Sequence, residues 1–129
     1  MSGTEPDLLG SYPGIVKAEA FVRAPSGRYD AGLICHLFGF STEQFAKIIG
    51  SVSEESIRVE PDSVALQPTL QPFAKIARIL CCNPDPVNFR NWLNTPNTEF
   101  NNISLIEVIK THGPALVADL VEDILTGMP

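Results

Sequence analysis

From Asp30 to the C-terminus the chain is punctuated as a series of short helices, and this punctuation constrains its fold more than any other feature. Leu33, Ile34, Leu37 and Phe38 fall at helical spacing and run into Gly39, a residue suited to the left-handed stop. Ser41 stands three residues before Gln44 as a capping box, and Phe40 can pack on Phe45 as a hydrophobic staple, so a second helix begins here and runs to Gly50. Ser53, followed by Glu54 and Glu55, caps a third and short helix that Pro61 limits.

The clearest amphipathic pattern follows. Leu70, Phe73, Ala74, Ala77, Leu80 and Cys81 repeat as one helical face, which Ile76 and Ile79 widen. The spacing predicts a central helix between two packed layers, with Lys75 and Arg78 reaching solvent. Asp85 with Pro86 opens the next helix, whose buried face is Phe89, Trp92 and Leu93 and which Thr95-Pro96-Asn97 ends. Ser104 and Glu107 form a second capping box, opening a helix that stops at His112-Gly113. Pro114 starts the last one. In that helix Leu116, Leu120 and Ile124 make one row and Val117, Val121 and Leu125 the adjacent row, opposite Asp119, Glu122 and Asp123. So wide a stripe on a terminal helix exceeds what a small fold can cover, and it reads either as packing on the central helix or as a surface for a second chain.

The reading is therefore an all-α chain in three parts: an N-terminal arm or accessory element at 1–28, a helix-turn-helix-like domain at 29–82, and a three-helix domain at 83–129. Within the arm, Ile15 to Val22 can be regular, and its apolar spacing decides neither helix nor strand.

Charge and chemistry narrow the function. Nine basic against fifteen acidic residues give a net charge of -6 over 129 residues, the wrong sign for nonspecific coating of nucleic acid. The deficit concentrates in 81–129, with two basic and six acidic residues. No apolar run approaches the roughly 20 residues of a membrane span, and Met1 to Gly10 carry Glu5 and Asp7 where an export signal needs basic residues. Three cysteines, two of them adjacent, do not resemble a secreted disulfide framework, so a reducing cytoplasm is expected.

Phosphate loops, nucleophile elbows and metalloprotease motifs are missing, and the expectation is a protein without catalysis, cofactor or metal. Cys35-His36 and Cys81-Cys82 make poor chelating pairs because neighbours on a helix point about 100° apart; the three thiols are read as small hydrophobes of the core. His112 suits a helix C-terminus better than general-base work. Trp92, the sole tryptophan, is either core filler or an interface anchor.

Residues 41–60 meet the needs of a helix-turn-helix through Ala46 at the crossing, Gly50 in the turn and Ile57 seating the second helix, with Ser51 as one extra turn residue. The DNA-facing candidates are Ser53, Glu54, Ser56, Arg58 and Lys47. Glu54, Glu55, Glu60 and Asp62 surround Arg58, so phosphate affinity would have to come from a dimer or from Lys47, Lys75 and Arg78.

The run Asn91-Trp92-Leu93-Asn94-Thr95-Pro96-Asn97, then Leu105 to Ile109, Thr111-His112-Gly113 and the closing Ile124-Leu125-Thr126-Gly127, resembles the toxin-binding domain of Xre/MbcA/ParS-type antitoxins. The resemblance covers roughly residues 30–129, including the preceding helix-turn-helix-like segment. Where the family usually has a proline opening the helix after the Trp-Leu motif, this chain has Ser104.

The resemblance implies an all-α, non-catalytic, homodimeric antitoxin that binds a RES-type toxin and often represses its own operator DNA. The toxin-facing residues it implies are Trp92, Pro96, Asn97, Leu120, Leu125, Thr126, Gly127, Met128 and Pro129. Two other functions remain open: a dimeric helix-turn-helix regulator without a toxin, and a protein-interaction adaptor that has lost DNA binding.

Overall fold

The structure, a computed structural model, describes residues 12–50 and 52–127. Among these, the chain is an assembly of eight α-helices with one minor two-stranded sheet. No helix among the described residues is long and apolar enough to cross a membrane.

Helix α1 (Pro13–Ala20) is followed by a tight reversal in which Gly27 adopts φ +89° and Arg23 pairs antiparallel with Tyr29. Ile15, Ala18 and Val22 are buried, so this part of the segment read as an arm contributes to the core. Helix α2 (Ala31–Phe38) starts where the Asp30 carboxylate accepts the Leu33 N–H and stops at Gly39 with φ +84°. Helix α3 (Thr42–Ile49) has the full capping box of Ser41 and Gln44, and the Phe40 and Phe45 rings stack at 6.1 Å. Gly50, at φ +80°, turns the chain toward α4 (Glu54–Val59), whose cap is Ser53 and whose Ile57 is buried. Ser51 lies outside the described residues.

Helix α5 (Gln67–Ala77) is the central helix, buried through Leu70, Phe73, Ala74, Ile76 and Ala77. Its start is fixed by the Gln67 side chain, which bonds both backbone atoms of Tyr29, at 2.8 and 2.9 Å, and so ties this helix to the reversal before α2. The predicted helix through Cys81 instead tightens at Arg78–Cys81 into a 3₁₀ turn.

Arg78 is 5% exposed and faces inward, correcting its placement in solvent. The helical repeat explains it: Arg78 lies four residues past Ala74 and eight past Leu70, on the covered row. Cys81 and Cys82 depart from the reading in the opposite sense: they are exposed, not core thiols, and of the three only Cys35 is buried.

Helix α6 (Pro86–Asn94) has Asp85 as its cap, and Thr95 leaves the helical region before Pro96. Strands β1 (Pro96–Asn97) and β2 (Ile103–Ser104), a hairpin absent from the sequence reading, come next. Asn101 and Asn102 take positive φ between the strands, a conformation that asparagine tolerates. The Ser104 hydroxyl accepts the Glu107 N–H to open α7 (Leu105–His112), and α8 (Ala115–Thr126) follows.

One cluster of buried side chains runs from Ala18 to Val121 and crosses the boundary read at 82/83. Its centre is aromatic. Phe38 meets Phe73 at 5.6 Å and Phe89 at 5.2 Å, both edge to face, while Phe45 meets Phe73 at 4.9 Å. Helices α2, α3, α5 and α6 therefore share one packed interior.

Candidate interaction surface

Helix α8 buries Val117, Ala118 and Val121 against the body of the protein, where α5 and α7 pack on it. The adjacent row is left uncovered to different degrees: Leu116 is 47% exposed, while Leu120 and Ile124 are half-buried, as is Leu125 at the end of the buried row. Asp119, Glu122 and Asp123 are exposed beside them. The result is an apolar strip on a carboxylate-rich helix.

At its end the Thr126 hydroxyl donates to the Glu122 carbonyl at 2.7 Å. A Cβ added at Gly127 would lie 2.6 Å from the Asp123 carbonyl oxygen, so only glycine fits this close of the helix. Met128 and Pro129 lie outside the described residues.

Trp92 is half-buried on α6, 6.1 Å from the Phe89 ring. With Ile79, Cys82 and Phe89 it lines an apolar hollow of about 180 Å³. Leu125 borders Arg78 and Lys75 in a separate hollow, which shares no residue with the one beside Trp92. Pro96 and Asn97 belong instead to the hairpin, whose second strand runs directly into α7. The Asn97 side chain accepts the Glu99 N–H at 2.8 Å and its carbonyl accepts the Asn102 N–H at 2.9 Å, so this residue shapes the turn.

The helix-turn-helix candidates are also divided. The Ser53 hydroxyl accepts the Ser56 N–H at 3.1 Å, and the two hydroxyls are 2.9 Å apart. Arg58 donates to Glu54 one turn away. Ser53 and Ser56, with Glu55, Glu60 and Val59, line an open cleft of about 720 Å³. Lys47 lines a separate hollow with Lys110 and Ile48, and its ammonium is 4.0 Å from Glu43. A phosphate approaching α4 would therefore meet free carboxylates and an arginine already engaged within the helix.

Sequence reasoning missed the main polar cluster of the interior. Glu19, 3% exposed, accepts from Arg78 Nε and Arg23 Nη2, each at 2.6 Å, and from the Tyr29 hydroxyl at 3.2 Å. Arg23 also stacks 4.4 Å above the Tyr29 ring. Burial first, and then the Glu19 charge, raise the Tyr29 pKa above its ordinary value. The available signal was the helical row ending at Arg78, because a cation there requires a buried acid.

Among the described residues, no three His, Cys, Asp or Glu side chains come together as a metal site. Cys35 is buried, whereas His36 beside it is exposed. No family model, curated protein or solved structure matches this chain.

Proposed function

We propose that this chain is a cytoplasmic, homodimeric antitoxin that neutralises a RES-type toxin, an enzyme that consumes NAD or ADP-ribosylates a target, by covering its active site. The observation that carries this reading is the half-covered row of α8, Leu116, Leu120 and Ile124, with Leu125 beside its end, flanked by Asp119, Glu122 and Asp123. An apolar strip supplies association energy, and carboxylates beside it suit a basic nucleotide-binding cleft. The mechanism is steric and electrostatic: the antitoxin occupies the approach of the anionic substrate, and no chemistry on its own side is required. The Xre/MbcA/ParS-like signature from Trp92 to Asn97 and the closing Ile124 to Gly127 support the same reading.

The test is co-expression with the toxin encoded by the adjacent gene, scored by growth and by recovery of a complex. The full chain restores growth. Leu120→Asp and removal of residues 125–129 each abolish rescue while helical content, followed by circular dichroism, stays near that of the parent. Rescue by both variants defeats the reading.

A second reading, an interaction adaptor that has lost DNA binding, is favoured by the pairing of Arg58 with Glu54 and by the carboxylates of the α4 cleft. A salt-sensitive, specific shift of the chain's own upstream DNA, weakened by Arg58→Ala, contradicts the adaptor and supports operon repression.

A further inference from the structure

Cys81 and Cys82 close the 3₁₀ turn with both side chains exposed and their sulfurs 3.8 Å apart. A disulfide brings sulfurs to about 2.05 Å and prefers Cα atoms about 5.5–6 Å apart, whereas adjacent residues across a trans peptide are held at about 3.8 Å. Joining the two sulfurs directly would wrench the turn. One soft atom bound to both leaves them well separated, close to the arrangement already present.

Cys82 also borders the hollow of about 180 Å³, where Ile79, Phe89 and Trp92 offer apolar surface beside the amides of Asn83 and Asn88. Neither thiol has a role in the antitoxin reading, and the inference does not depend on that reading, although Trp92 in the hollow wall belongs to both.

We propose that Cys81 and Cys82 form a two-thiol site for a single thiophilic centre carrying an apolar substituent, the chemistry of a monosubstituted organic arsenoxide. Each sulfur forms one arsenic–sulfur bond, the arsenic–oxygen bond breaks, and the two thiol protons leave with that oxygen as water. Arsenic remains trivalent and no electrons are transferred. The organic group lies in the hollow against Trp92 and Ile79. Desolvation, and next the contact with the Cys82 sulfur, push the Cys81 thiol up to about 11, so at neutral pH it retains the proton that the condensation releases as water.

The experiment titrates the reduced full chain with phenylarsine oxide and reads intact mass and Trp92 fluorescence. One phenylarsenic adduct forms per chain with loss of water, the fluorescence changes, and 2,3-dimercaptopropanol but not excess monothiol reverses both. Cys81→Ser and Cys82→Ser each weaken binding about 100-fold through loss of the second attachment, while Cys35→Ala binds as the parent does. Methylarsine oxide binds about tenfold more weakly, lacking the ring that fills the hollow. Circular dichroism establishes that both serine variants fold, since their changes lie on an exposed turn. Undiminished binding by either folded serine variant, or equal affinity for the two arsenicals, overturns the site.

Discussion

Two glutamate–arginine pairs in this protein have the same four-residue spacing and opposite surroundings. Glu54 and Arg58 lie on α4 with side chains 30% and 58% exposed, and water screens their attraction. Glu19 and Arg23 repeat the spacing, but the Glu19 side chain is 4% exposed and a second arginine, Arg78, reaches it from the 3₁₀ turn. Spacing alone thus says little about what an ion pair contributes. A charge removed from α4 can be replaced by water, whereas one removed from the interior leaves its partner desolvated.

The sharpest way to break this comparison is Glu19→Ala, which removes the buried carboxylate that Arg23 and Arg78 share. Urea unfolding should show a loss of about 3–5 kcal/mol, and a loss no larger than that of a surface pair would mean that water reaches the cluster. A second test sets covered thiol against unfolded thiol. Burial first, and the Asp30 charge second, push Cys35 up to about 11. The folded chain then keeps a proton that the unfolded chain sheds, so stability is complete below pH 9 and declines as the pH rises toward about 11. Stability measured across that range should fall less steeply in Cys35→Ala than in the parent; an identical slope would assign the effect elsewhere. The smallest effect belongs to Arg58→Ala, expected to shift stability by no more than about 0.5 kcal/mol. A larger change in thermal unfolding would show that the α4 pair does more than its exposure allows.

What was legible in the sequence follows from the range of each interaction. Ser41, Ser53, Asp85 and Ser104 bond backbone two or three residues ahead, so a few consecutive letters carry each helix start. Gly39 and Gly50 marked their stops for the same reason. Helix α1 had a weaker sign: Pro13 stands at its first position but Tyr12 makes no side-chain cap, and the Glu19–Arg78 bond that helps to hold the helix spans 59 residues. The β1–β2 hairpin was missed although Asn101-Asn102 offered a turn signal, because each strand is only two residues long and shows no alternation.

The interaction surface was partly legible. The two rows of α8 could be counted, but which one faced the body depended on the placement of α5 and α7. The hollow beside Trp92 depends on Ile79 and Cys82 meeting α6, which neither segment discloses alone.

The buried carboxylate also bears on the order in which the chain can mature on the ribosome. Glu19 emerges long before Arg78 is translated, and until then α1 has no inner cation to receive it. The locally capped helices α2 to α4 can form while synthesis continues, whereas docking of the first helix must await the far end of the central one. A nascent chain stalled ahead of residue 78 would hold its opening helix undocked, open to a protease that the finished protein resists.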